Sequence, residues 1–195
     1  NKPFIIINGA LLNSDKYEKE LFGEEISDGS IIYGALEKAT GGILLIDEVT
    51  EIPLETQSKI LRVLTDQKFK RINGQHDINV NVRIMCSSNK DLQHEIQIGN
   101  FREDLYHRLN VFNIKLEPLN KRVDDIPLLV EYFMSKLSEI YNIKKIHIKD
   151  YNFLLNYDWP GNVRELRNLV ERIIILSPGQ TQDKINEIIK ESLLK

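Results

Sequence analysis

Along this 195-residue chain the hydrophobic rhythm changes part-way. As far as Pro118, short apolar runs without alternation stand between helix-like stretches. The runs are Lys2–Asn8 (KPFIIIN), Ile43–Ile46 inside GGILLIDE and Val82–Ser88 (VRIMCSS); Val111–Leu116 reads as one more strand, closed by Pro118. Continuous apolar runs of this length suit strands covered on both faces, as in a parallel sheet. Between them the spacing predicts a short helix around Lys16–Phe22 and a brief one over Ala35–Ala39. A longer helix follows Pro53, with Leu54, Ile60, Leu61, Val63 and Leu64 on one face. Glu24–Tyr33 reads as a loop broken at Gly29. Phe69–Ile72, the pair Asn73-Gly74 and the polar run to Val82 predict a β-hairpin. Asp91–Ile98 predicts a helix stopped by Gly99, and Phe101–Leu109 a further short one.

From Leu119 only helical patterns remain: Asp124–Tyr141 with Pro127 near its start, Asp150–Tyr157, Val163–Leu176 and Lys184–Leu194. Trp159-Pro160-Gly161-Asn162 reads as a tight turn, with Asn162 as the N-cap of the next helix, and Ser177-Pro178-Gly179 ends that helix. Strands alternating with helices, then helices alone, predict an α/β sandwich over residues 1–118. A helical lobe is expected over 119–178 and a linker over 179–195. From its abrupt start on a strand the chain is expected to be a piece of something longer.

Composition changes this picture little. A net charge of −3 exerts no global pull towards nucleic acid or anionic membranes. Cys86 is the single cysteine, which excludes a disulfide framework and suits a reducing cytosol. No apolar run is long enough to span a bilayer, so a membrane partner is not expected. His76, His94, His107 and His147 lack metal-ligand spacing.

The chemistry is concentrated at Asp47 and Glu48. Ligands of open α/β sheets bind outside the carboxyl ends of the strands, where these two acids stand. An aliphatic strand ending in Asp-Glu has the form of a Walker B segment, in which the Asp holds Mg²⁺ and the Glu polarises the attacking water. The plainer alternative is a pair of acids that starts a loop or caps a helix.

Seven stretches in one order then resemble a known family: ELFG (Glu20–Gly23), GGILLIDE, KILRVL (Lys59–Leu64), SSNKDL (Ser87–Leu92), FREDLYHRLNV (Phe101–Val111), DDIPLL (Asp124–Leu129) and YDWPGNVRELRNLVER (Tyr157–Arg172). Together they resemble the central AAA+ ATPase domain of NtrC-family bacterial enhancer-binding proteins, and within that family its NtrX-like response regulators. The resemblance implies a three-layer α/β sandwich, its first part outside this chain, followed by an all-α lid. It implies ATP and Mg²⁺ as ligands, with Asp47 holding the metal and Glu48 activating water. Asn8 falls where the family has an Asn that hydrogen-bonds the catalytic Glu; the alternative is a turn residue before Gly9. Asn89 falls at the sensor I position, where an amide can orient water and feel the γ-phosphate; the alternative is a helix cap.

Arg102 and Arg108 match the arginine fingers, whose planar forks bind phosphate oxygens of a neighbouring subunit's nucleotide. Their alternative is local, since Asp104 and Arg108 are spaced for an i,i+4 pair. Arg164 matches sensor II. It lies in a helix first turn, where a cation opposes the helix dipole and calls for an anion: phosphate, or simply Glu165. Trp159 reads as lobe core.

Two family features are missing. No G-x-x-x-x-G-K-[ST] occurs, and its backbone amides and Lys are the main grip on the phosphates, so this polypeptide alone is expected to bind ATP poorly or not at all. The loop after ELFG reads EEISDGSIIYGALEKA and lacks GAFTGA, which puts direct remodelling of sigma-54 polymerase in doubt. The resemblance further implies self-association as a ring or dimer. Through flanking domains outside this chain it implies a sensor histidine kinase and promoter DNA as partners, with RNA polymerase holoenzyme beyond them, all in the bacterial cytoplasm. A non-hydrolysing oligomerisation and signal-relay module is the competing reading. FREDLYHRLNV argues against a third, a DNA-remodelling helicase loader.

Overall fold

The structure, a computed structural model, describes residues 2–11, 14–144, 146–177, 179 and 181–193. The chain divides into two compact units, Asn1–Asn113 and Ile114–Lys195. In order, the first unit runs β1 (Phe4–Asn8), α1 (Ser14–Phe22), β2 (Gly23–Glu25), β3 (Ile31–Tyr33), α2 (Ala35–Lys38), β4 (Ile43–Asp47) and α3 (Leu54–Asp66). It continues with β5 (Lys68–Phe69), β6 (Ile78–Asn79), β7 (Arg83–Cys86), α4 (Leu92–Gln97) and α5 (Glu103–Leu109). The central sheet is parallel in the order β1-β4-β7, with Asn8 opposite Asp47 and Ile46 opposite Cys86.

Leu44 and Ile46 are fully buried and, with Ile7, join Leu21, Leu36, Ile60, Val63 and Leu105 in one core. On the opposite face Phe4 and Ile6 are 53 % and 57 % exposed, and Met85 is 45 % exposed. Sequence reading expected cover on both faces. Among the described residues the helices bury one face, so burial alternates along apolar strands whose composition does not.

Three further expectations are corrected. Glu24–Tyr33 is a hairpin rather than a loop: β2 and β3 pair antiparallel, Gly23 opposite Tyr33. Its tip closes where Ile26 N–H donates to Ser30 O at 2.9 Å and Ser30 N–H to Asp28 Oδ1 at 2.8 Å, with Gly29 at φ 85°. Strands of three residues are too short to show alternation. The second hairpin pairs only Lys68–Phe69 with Ile78–Asn79; Asn73-Gly74 makes its turn inside the long connection, Gly74 N–H donating to Arg71 O at 3.0 Å. Val111–Leu116 is not a strand, and Val111, Phe112, Ile114 and Leu116 are all exposed. A strand persists through its ladder. Among the described residues no strand pairs with this segment.

The second unit holds α6 (Asp125–Tyr141), α7 (Asn152–Leu155), α8 (Asn162–Leu176) and α9 (Gln182–Leu193). Val130, Met134, Leu166, Val170 and Ile173 build its core. Trp159 is in that core, its indole N–H donating to Leu154 O at 2.8 Å. Asn162 is not the cap of α8: it sits at φ 51°, a region Asn tolerates, and its Oδ1 accepts from Leu119 N–H at 2.8 Å. Glu165 reaches back instead, its Oε2 accepting from Gly161 N–H at 2.8 Å. Within 179–195, expected as a linker, α9 buries Ile185, Ile188 and Ile189 against the same core. Pro178 and Leu194 lie outside the described residues.

Candidate active site

Three strand ends meet at one carboxylate. Asn8 closes β1 beside Asp47, and its Nδ2 donates to Asp47 Oδ2 at 3.1 Å. Asn8 Oδ1 accepts from Ala10 N–H at 2.8 Å, which locks the amide orientation. From the other side Ser87, directly after β7, donates its hydroxyl to Asp47 Oδ1. Ser87 Oγ also accepts from Glu48 N–H at 3.4 Å, and Ser87 O accepts from Val49 N–H at 2.9 Å. Asp47 is thus held at both oxygens by neighbours on either flank.

Glu48 leaves the strand at φ 56°, in the left-handed region that costs a non-glycine residue about 1–2 kcal/mol. Backbone strain of this kind concentrates where a side chain must be aimed. A Cβ at Gly9 would stand only 2.5 Å from Glu48 O, so the turn after β1 needs glycine to lie against this residue. Glu48 Oε2 is buried and has no hydrogen-bond partner among the described residues. Burying a carboxylate oxygen without a donor is costly, and a bound water or ion is the usual compensation.

Two adjacent carboxylates, one fastened and one open, are hard oxygen donors that suit a water-shelled Mg²⁺. Among the described residues no group of three or more His, Cys, Asp or Glu side chains could hold a metal by itself. Asp47 and Glu48 are the two carboxylates at this strand end that could contribute to holding such a cation.

The other candidates in the first unit have partners of their own or are exposed. Asn89 is exposed and does not cap α4; Asp91 does, its Oδ1 accepting from Gln93 N–H at 2.9 Å. Arg102 occupies the N-cap position of α5 and lies bidentate on Asp104, at 3.0 and 2.7 Å. The Asp104–Arg108 pair does not form. Arg108 Nη2 donates instead to Leu64 O, in the last turn of α3, at 3.1 Å. Asp104, beside the Arg102 guanidinium, is held below the usual carboxylate range. Arg164 belongs to the second unit, is exposed, and has no hydrogen bond or ion pair among the described residues. Glu165 is not its partner in this structure; its two oxygens accept from Tyr157 Oη–H and Gly161 N–H at 3.0 and 2.8 Å. Among the described residues no hydrogen bond or ion pair joins Asn89, Arg102 or Arg108 to the acid pair.

Sequence reading missed two residues. Ser87 lay in a quoted motif, but the strand-end position of Asn89 drew attention past it. Gln57 lies among the apolar positions of α3 and is fully buried. A polar residue on an apolar helix face was the available signal.

A family model for the sigma-54 interaction domain matches residues 1–115, and one for the AAA+ ATPase lid domain matches residues 120–192. The chain belongs to the sigma-54 interaction domain family. Its fold is the AAA+ α/β domain with a C-terminal helical lid. The nitrogen assimilation regulatory protein NtrX of Azorhizobium caulinodans is 44 % identical over 186 residues, 94 % of this chain and 41 % of that protein. NtrX from Brucella abortus, solved in complex with ATP, superposes with a TM-score of 0.85 at 46 % identity, covering 93 % of this chain and 40 % of that one. The Thermotoga maritima RuvB Holliday junction branch migration motor shares the fold alone, at TM-score 0.60 and 11 % identity over 96 % of this chain and 52 % of that one. The chain spans about two fifths of the length of the NtrX relatives.

Proposed function

We propose that this chain is the central ATP-binding AAA+ module of a two-component response regulator that controls transcription. The observation that carries the reading is the strand-end cluster, in which Asn8 and Ser87 fasten Asp47 while Glu48 keeps a buried carboxylate oxygen free of protein partners. The NtrX relatives support it, one of them solved with ATP.

Mg²⁺, when bound with the nucleotide, supplies positive charge against the β- and γ-phosphate oxygens. Asp47 would hold that ion from a carboxylate that Asn8 and Ser87 orient. Glu48 takes a proton from the attacking water, and its open Oε2 is the atom for that task. Asn89 orients the same water. Arg102 and Arg108 reach the nucleotide of a neighbouring copy, and Arg164, an unpaired cation on the lid, meets phosphate. Asn8 was expected to bond the catalytic Glu; here it bonds Asp47, one residue away, so it acts on Glu48 through the strand end.

Flanking domains outside this chain receive the signal from a sensor histidine kinase and bind promoter DNA in the cytoplasm. The segment after ELFG, EEISDGSIIYGALEKA, lacks GAFTGA, which supports an indirect rather than a direct link to RNA polymerase. A second reading is a relay module that keeps AAA+ residues as structure; in the full-length protein a G-x-x-x-x-G-K-[ST] ahead of Asn1 favours the ATPase and its loss favours the relay. Titrating the full-length protein with ATP separates the two. Saturable binding with turnover that rises with protein concentration, and is lost in Arg102→Ala, supports the ATPase. Normal turnover by Arg102→Ala at all concentrations removes the fingers, and no turnover by the parent leaves the relay.

A further inference from the structure

Gln57 has no part in the site described so far, yet its amide joins the two segments that matter most. It is fully buried, in α3. Its Nε2 donates to Ile52 O at 2.8 Å and to Asn100 O at 3.0 Å, and its Oε1 accepts from Arg102 N–H at 2.9 Å. Ile52 ends the turn that begins at Glu48. Asn100–Arg102 is the link that leads into α5. Among the described residues no backbone hydrogen bond joins the turn to the link directly.

The two sides are not equally anchored. The turn has its own supports: Val49 N–H donates to Ser87 O at 2.9 Å, and Ile52 is 2 % exposed. In the link, Asn100 and Phe101 donate their amides to Glu95 O at 2.9 and 3.2 Å, and Phe101 is buried. The amide of Arg102 is different, since its partner is Gln57 alone. Both N–H groups and the oxygen of the Gln57 amide are engaged in a dry core, where an unmet bond is costly. Arg102 therefore cannot shift without stranding buried polar groups.

We infer that Gln57 is a positioning residue that fixes where Arg102 is presented to a neighbouring copy, using the turn after Glu48 as its base. The inference rests on the hydrolysis reading above. It differs from a merely structural role because the damage is carried by the finger, which acts on another copy's nucleotide, and not by the acid of the same chain.

The test uses full-length Gln57→Met. Turnover is expected to fall about 100-fold, as for a misplaced catalytic group, with ATP affinity within about twofold of the parent. Mixing equal amounts with Glu48→Gln then pairs intact acids of one variant with correctly placed fingers of the other. Random assembly restores about a quarter of parental turnover in a head-to-tail ring. No restoration, or parental turnover by Gln57→Met alone, overturns the assignment.

Far-UV circular dichroism and urea unfolding of Gln57→Met guard against a folding defect: the variant is expected to be folded under the assay conditions, so that the loss of turnover and its restoration in the mixture are read on folded protein. If the parent hydrolyses nothing, the ATPase reading fails on its own and amide exchange decides about Gln57. Faster exchange at Arg102 in Gln57→Met, with α3 unchanged, supports the joint; unchanged exchange at Arg102 overturns it.

Discussion

Arg71 ties together three separate pieces of the first unit, and its removal is the best-defined perturbation of the fold. Its side chain is 9 % exposed and sits between Glu37 of α2, 12 % exposed, and Glu25 of β2, 29 % exposed. Nε and Nη2 form a fork onto Glu37 at 2.9 and 2.6 Å, and Nη1 reaches Glu25 Oε1 at 3.0 Å. The guanidinium also lies over the Tyr33 ring, 5.4 Å from its centroid. These contacts hold the proton on Arg71 far more tightly than usual, Glu37 being the main cause. Arg71→Met keeps the apolar stem but leaves two carboxylates facing a partly dry pocket. Losing one member of such a buried pair costs about 3–5 kcal/mol, most of it from the charge left behind. That is a large share of a typical domain's 5–15 kcal/mol. Urea unfolding followed by far-UV circular dichroism should show the midpoint fall without a change in slope. Adding Glu25→Gln and Glu37→Gln to Arg71→Met should recover most of the loss, because no charge is then stranded. A loss under about 1 kcal/mol, or no recovery in the triple variant, would refute the reasoning.

Other consequences are simpler to check. Burial pushes the Cys86 thiol from 9.0 up to about 12, which lowers its thiolate fraction at pH 8 about a thousandfold. The folded protein should therefore resist alkylation that is rapid in urea. Because the unfolded chain releases this proton first, stability should hold below about pH 9 and decline above it; Tyr17, also raised by burial, adds in the same direction. A stability that climbs between pH 9 and 10 would contradict this assignment. Ser87→Ala removes the hydroxyl that bonds Asp47 and receives Glu48 N–H, and should cost about 1–2 kcal/mol of stability by the same urea assay.

Much of this was legible in the residues, and the misses share a cause. The aliphatic run Ile43–Ile46 correctly marked a parallel strand with acids at its end, because composition and strand-end chemistry are local. Whether a helix covers each face is not local, and Phe4, Ile6 and Met85 read as buried from composition alone. Val111–Leu116 has strand-like residues, but a ladder also needs a neighbour that no pattern in the segment specifies. Asn162 has the right side chain for a cap, yet its left-handed backbone turns that side chain to Leu119 and leaves the capping to Glu165. The i,i+4 spacing of Asp104 and Arg108 was real, but Arg102 lies closer to Asp104 and Arg108 finds the Leu64 carbonyl. Ser87 and Gln57 act through contacts to residues about 40 or more positions away in the chain, beyond any periodicity.

The central claim is that Glu48 activates water for ATP hydrolysis while Asn8 and Ser87 hold Asp47 beside it. ATP turnover by the full-length protein, parent against Glu48→Gln, tests it most directly. The amide keeps the size of the side chain and removes the base, so ATP binding should persist while turnover falls about 100-fold or more. Equal turnover by parent and variant would contradict the account.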